Sequence, residues 1–130
     1  MATYEDMKKI VSKRAVRGIN IKPPKAGGIY WGLKIRELAE ENDILIMVGS
    51  MIESAIGIAA ASHFASGIKN VYHEDLDSDY YFDTDAVTDE SRPRFENGSR
   101  VPSTRPRLGI ELQPWADRVL KGDIEIFQRA

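Results

Sequence analysis

Ile44-Leu45-Ile46-Met47-Val48-Gly49-Ser50-Met51-Ile52-Glu53 is the stretch on which the fold turns. Five apolar residues in a row, ended by Gly-Ser, predict a strand buried on both faces, as in a parallel sheet covered by helices. Helical patterns flank it. Residues 29–42 carry Trp31, Ile35 and Leu38 on one face, behind a tight turn at Ala26-Gly27-Gly28. Residues 54–66 turn Ile56, Ala60, His63 and Phe64 inward, with Gly67 as the C-terminal cap. Two more strands lie further out. Ile19-Asn20-Ile21-Lys22 stops at Pro23-Pro24, because proline has no N–H for the ladder. Residues 71–76 form the other. At the start, Thr3-x-x-Asp6 is a capping-box-like opening of a helix with Met7, Ile10, Val11 and Ala15 on one stripe, ended by Gly18.

The order is therefore α-β-α-β-α-β, and the strand ends at Lys22, Val48 and Asp75 are 26 and 27 residues apart. That spacing predicts parallel strands joined by right-handed helical crossovers. Sheets of this kind bind ligands at the carboxyl ends of their strands. Lys22, the loop 50–53 and Asp75 with Asp77 all fall on that rim.

After Asp79 the composition shifts. Residues 73–90 hold eight acidic side chains and no Lys or Arg, whereas residues 92–107 hold five arginines and three prolines. This predicts an irregular, extended tail whose arginines fold back on the acidic stretch. Residues 114–122 form a short helix with Pro at its start and Gly at its end.

Composition narrows the function. Apolar residues make up 42% of 130, enough for a packed core, and the net charge of −2 provides no basic field for nucleic acid. No run approaches the ~18 apolar residues of a membrane span. The polar, acidic start at Met1-Ala2-Thr3-Tyr4-Glu5-Asp6 is unlike a signal peptide. The chain has no cysteine, so disulfides, thiolate catalysis and Cys-based metal sites are excluded. A cytoplasmic protein is the expectation. Other motifs read blandly. Asp75-x-Asp77-x-Asp79 fails as a calcium loop, since Tyr80 stands where Gly is needed and Ala86 where Glu is. Gly27-Gly28 lacks the companions of a phosphate loop. His63 is read as a packing residue, His73 has no metal-spaced partner, and Trp31 is read as core.

Ile19-Asn20-Ile21-Lys22-x-x-Lys25-x-Gly27-Gly28-Ile29, Met47-Val48-Gly49-Ser50-Met51-Ile52-Glu53-Ser54 and Asp75-Leu76-Asp77 together resemble the C-terminal part of an enolase-superfamily barrel of the muconate-lactonizing subgroup. The last two are similar to dipeptide epimerases such as the L-Ala-D/L-Glu epimerases. The likeness covers residues 3–80, and Arg107-Leu108-Gly109-Ile110 is more weakly similar to the family's closing segment. It implies a 1,1-proton transfer at a carbon next to a carboxylate. One lysine takes the α-proton, an opposing lysine returns it on the other face, and Mg²⁺ held by three carboxylates stabilises the enediolate. By the same resemblance, Lys22 is the acid/base lysine of the sixth strand, and Asp75 and Asp77 bind the α-ammonium of a dipeptide. Alternation along a strand would turn both aspartates to one side, and two carboxylates suit one cation. Ser50, Met51 and Ile52 match the substrate-lining loop after the seventh strand, where Glu53 also has a counterpart.

The family's opposing Lys-x-Lys, its three metal ligands and its capping domain have no match in these 130 residues, and an eight-stranded barrel needs ~250. The expected fold is α/β, a partial (β/α)8 barrel comprising about the last three βα units over residues 1–80, with a C-terminal tail and short helix over 81–130. The expected function is that of a C-terminal part of a metal-dependent racemase or epimerase acting on a small carboxylate, preferably a dipeptide, and inactive in isolation. Two alternatives stay open. One is another enzyme of the subgroup, such as a muconate cycloisomerase, an o-succinylbenzoate synthase or an N-acylamino-acid racemase, although the Asp75-x-Asp77 pair argues against these. The other is a non-catalytic half-barrel that pairs with itself or with an N-terminal half.

Overall fold

Thr3 opens the first helix as its spacing predicts. Its hydroxyl accepts from the Asp6 N–H at 3.1 Å, and the Asp6 carboxylate accepts from the Thr3 N–H at 3.0 Å. The computed structural model describes residues 3–122. Met1-Ala2 of the polar start, and the tail from residue 123, lie outside the described residues. Helix α1 (Tyr4–Lys13) ends at Arg14, whose φ of 48° is left-handed, so the helix stops four residues before the expected Gly18. Strand β1 (Gly18–Ile21) follows, then a one-turn helix α2 (Pro23–Ala26), α3 (Ile29–Glu40), β2 (Leu45–Gly49), α4 (Ala55–Gly67) and β3 (Val71–Asp75). The strands are parallel in the order β1-β2-β3.

Right-handed crossovers between neighbouring parallel strands carry α3 and α4 to the same side, and α1 packs there on α3. Ile19 and Ile21 on β1 and Ile46 and Val48 on β2 face that side, where they pack with Met7, Ile35, Ala39, Ile58, Ala61, Phe64 and Ala65. The opposite face holds Asn20, Met47 and His73, which are aligned across the three strands. This corrects the reading of β2 as buried on both faces: Leu45 is 51% exposed. The register shifts between Ile46 and Met47, which leaves Tyr72 unpaired in a bulge and 78% exposed.

Trp31 is likewise not core. It is 44% exposed and lies against the rings of Tyr4 at 5.9 Å and Tyr30 at 5.3 Å, on the outside of the α1–α3 contact. In α4 the buried set is Ala55, Ile58, Ala59, Ala61, Ser62, Phe64 and Ala65, while Ile56, Ala60 and His63 are only partly covered. The helix is apolar on most sides, so its sequence pattern does not define a phase. Gly67 is its last residue rather than its cap, a place taken by Ile68 in extended conformation.

Two features shape the rim. The double proline ends β1 as expected, but the chain then makes a helical turn instead of a plain loop. Proline loses nothing at the first positions of a helix, where its missing N–H has no partner. The turn closes on Gly27 (φ 94°) and Gly28 (φ 97°), both in the left-handed region, and the Gly28 N–H donates to the Pro23 carbonyl at 2.8 Å. Beyond Asp75 the tail is more regular than expected. A 3-10 turn covers Ser78–Tyr81, a hairpin pairs β4 (Arg94–Glu96) with β5 (Ser99–Val101), and α5 spans Pro114–Leu120. Asn97 and Gly98, at φ 50° and 82°, form the hairpin's two-residue turn. The arginines do fold back on the acidic stretch: Arg100 pairs with Asp79 and Arg92 with Asp85. Asp85 also accepts from the Ala55 N–H at 2.8 Å. It caps α4 in place of Ser54, whose side chain makes no capping bond.

Candidate functional site

Lys22 stands where β1 gives way to α2. Its Nζ donates to the carbonyl of Ser50, beyond the end of β2. The Ser50 N–H in turn donates to the carbonyl of Asp75, the last residue of β3, at 2.7 Å. The three strand ends are thus stitched together across the rim through the backbone of Ser50, a buried residue. The alternation of β3 continues past its last ladder bond: Asp75 is exposed, Leu76 buried and Asp77 exposed. Both aspartates therefore turn the same way.

Lys22, Ser50, Met51, Ile52, Asp75 and Asp77 line one cavity of about 410 Å³. Met51 and Ile52 bring apolar side chains to it, 44% and 80% exposed. Lys25, Ser78 and Tyr81 line it too, and sequence reasoning gave none of them a role. Lys25 lies one helical turn from Lys22, a relation visible only once residues 23–26 are known to be helical. Glu53 does not line the cavity. Its Oε1 accepts from the Met51 N–H at 3.0 Å, and its own N–H and carbonyl bond the hydroxyl of Ser78. Its carboxylate folds over Gly57, where a Cβ would leave no room for it. Glu53 shapes the loop from behind. A second cavity, of about 400 Å³, shares Asp75 and Asp77 and opens between β3 and the hairpin, with His73, Phe95 and Arg100 in its walls.

The arrangement offers two carboxylates for a cation, two ammonium groups for a carboxylate or a proton, and apolar contact for a side chain. It does not offer a metal site: among the described residues no three His, Asp or Glu side chains come together as ligands. Asp75 and Asp77 are two, and they share their cavity with lysines.

The sequence matches the model of the enolase C-terminal domain-like family over residues 1–116. It is 40% identical over 99 residues to the hydrophobic dipeptide epimerase of Enterococcus faecalis, covering 72% of this chain and 28% of that protein. It is 31% identical over 128 residues to the o-succinylbenzoate synthase of Bacillus subtilis, covering 98% of this chain and 34% of that one. The chain thus spans about a third or less of the length of these curated relatives. Among solved structures, the dipeptide epimerase of E. faecalis complexed with Mg and L-Leu-L-Tyr superposes with a TM-score of 0.65 at 40% identity, over 68% of this chain and 25% of that one. The N-succinyl Arg/Lys racemase of Bacillus cereus superposes with a TM-score of 0.80 at 29% identity, over 92% and 31%. No helix among the described residues is long and apolar enough to cross a membrane. With three parallel strands, helices on one side and a family match over nearly the whole sequence, the chain is a partial (β/α)8 barrel and belongs to the enolase C-terminal domain-like family.

Proposed function

We propose that this chain carries one side of a dipeptide epimerase site. Lys22 acts as acid/base on one face of the α-carbon, Asp75 and Asp77 hold the substrate's α-ammonium, and loop 50–52 lines the substrate. The observation that carries this reading is the convergence of those residues on one cavity at the carboxyl ends of three parallel strands. The dipeptide bound to the E. faecalis relative supports the substrate class. An opposing base, and ligands for the Mg²⁺ named with that relative, would come from residues outside this chain, because the carboxylates gathered here do not form a ligand set. The 130 residues alone are therefore expected to be inactive.

The test is a composite barrel in which this chain replaces the matching C-terminal part of the E. faecalis epimerase. Uptake of solvent deuterium at the α-carbon of dipeptides is followed by NMR. The composite should exchange, and the isolated chain should not. Asp77→Ala should lower kcat/KM for dipeptides by about 10- to 100-fold, the worth of a charge-assisted hydrogen bond. Turnover of an N-acyl amino acid, which has no ammonium, should be spared. Unchanged dipeptide turnover in Asp77→Ala would overturn the assignment and favour an o-succinylbenzoate synthase or N-acylamino-acid racemase.

The open sheet supports a second reading, that of a module that pairs with a copy of itself or with an N-terminal half. Leu45 and Tyr72 are exposed on the sheet, and β1 and β3 are both edge strands among the described residues. Such edges invite pairing. Sedimentation at micromolar concentration should show concentration-dependent association, and a monodisperse monomer would count against it.

A further inference from the structure

Arg100 is the most enclosed cation among the described residues of the tail, and the reaction outlined above does not use it. Its side chain is 3% exposed and its partner Asp79 2%. Every arm of the guanidinium is occupied. Nε donates to the carbonyl of Leu76 at 2.7 Å, Nη1 donates to the carbonyl of Pro93 at 2.8 Å, and Nη2 donates to the carboxylate of Asp79. The rings of Tyr80 and Phe95 lie over its central carbon at 4.7 and 5.3 Å. Leu76 is the residue between Asp75 and Asp77. An ordinary surface arginine has no reason to be buried with five contacts to two separate segments, 76–80 and 93–95.

We propose that Arg100 is a positioning residue for the substrate-ammonium pair: through the Leu76 carbonyl and Asp79 it fixes the backbone on which Asp75 and Asp77 are spaced. The inference rests on the reading of those two aspartates as an ammonium site. β3 ends at Asp75, so no ladder bond holds Asp77. The next regular bond after the strand is the 3-10 turn, closed by the Tyr80 N–H on the Asp77 carbonyl at 3.1 Å. Between these, the Leu76 carbonyl would otherwise be a buried acceptor in need of a partner. A rigid planar fork meets that carbonyl, a second carbonyl and a carboxylate through three separate nitrogens, whereas the three N–H bonds of a lysine diverge from a single one. The β4–β5 hairpin brings Arg100 and Phe95 to this point, so the tail takes part in building the site.

The test uses the full 130-residue chain, labelled with ¹³C and ¹⁵N, with L-alaninamide as the probe because it carries an ammonium and no carboxylate. In the parent, the side-chain carboxyl signals of Asp75 and Asp77 should both move on titration. Arg100→Lys keeps the charge opposite Asp79. It should weaken binding of the probe about tenfold and shift the backbone signals of residues 75–79, with faster amide exchange at Asp77 and Ser78. Phe95→Leu leaves all the polar contacts and should weaken binding about two- to threefold, the worth of one exposed cation–π contact. It serves if Arg100→Lys does not fold. Arg105→Ala, which breaks the exposed pair with Glu111 elsewhere in the tail, should leave binding within about twofold. A folded Arg100→Lys chain with parental shifts and exchange at residues 75–79 overturns the positioning role, whatever the probe does. A parent that never responds to alaninamide at Asp75 and Asp77 overturns the ammonium site instead, and the backbone signals still judge Arg100.

Discussion

In a barrel completed with the N-terminal part of the E. faecalis epimerase, Lys22→Ala is expected to lower dipeptide epimerisation by at least about a hundredfold, the lower end of what a positioned acid/base group contributes. The lysine sits at a strand end, and its amine is aimed across the rim by its bond to the Ser50 carbonyl, within the cavity that also holds Asp75 and Asp77. A simple loss of activity would not separate chemistry from architecture, because that same bond ties β1 to the loop after β2. The substitution Lys22→Arg makes the distinction: the charge and a donor for Ser50 are kept, but guanidinium does not give up a proton in the working pH range. This variant should therefore fold and bind dipeptide, yet epimerise as poorly as the alanine variant. Stereochemistry adds a sharper criterion. A base on one face removes only the α-proton that points to it, so in either variant one epimer should stop exchanging with D₂O, while the other still exchanges through the opposing base. Equal slowing of both epimers would mean that Lys22 supports the site without transferring protons.

Much of this was legible in the sequence, for reasons that differ element by element. The strands at 18–21 and 45–49 follow from short β-branched or apolar runs stopped by proline or glycine, that at 71–75 starts on Val71-Tyr72, and the regular interval between them predicts the parallel order. The rim residues came with them, since strand ends determine which side chains meet. Burial was harder to read. Leu45 and Tyr72 look like core in any window, but Leu45 lies on the face away from the crossover helices and Tyr72 stands unpaired in the bulge. The inward face of α4 was misread because Ala-Ile-Gly-Ile-Ala-Ala-Ala is apolar at every phase. The hairpin at 94–101 had a local signal, Asn97-Gly98, that was masked by the surrounding arginines and prolines. Lys25 and Tyr81 reach the cavity only through single turns of helix at 23–26 and 78–81, which are too short for any periodicity to reveal. Charge complementarity between 73–90 and 92–107 did predict contact, but not which arginine would be buried.

That buried arginine gives the largest expected effect on stability. Asp79→Ala should destabilise the chain by about 3 kcal/mol or more, since removing one partner of a buried pair leaves the other charge uncompensated. For a chain of this size that corresponds to a fall in Tm of about 10 °C. The reasoning does not depend on the pair being favourable in itself. Arg100 and Asp79 are each almost fully enclosed, so their attraction mainly offsets the cost of taking both out of water. With Asp79 gone, Arg100 keeps its two carbonyl acceptors and its two rings but carries a full charge in a site that excludes solvent. Arg92 offers the contrast. Its pairs with Asp85 and Asp89 are longer, at 3.6 and 3.5 Å, its side chain is 26% exposed, and without it the buried Asp85 carboxylate still accepts from the Ala55 and Val87 N–H groups, so Arg92→Ala should cost less. The double variant Asp79→Ala/Arg100→Leu removes both charges and should be more stable than Asp79→Ala alone, although the Leu76 carbonyl then loses its donor. Thermal unfolding followed by circular dichroism measures all four chains. An Asp79→Ala variant that melts within about 2 °C of the parent would show that the site admits water; the tail would then be resting on the barrel rim instead of being anchored in it.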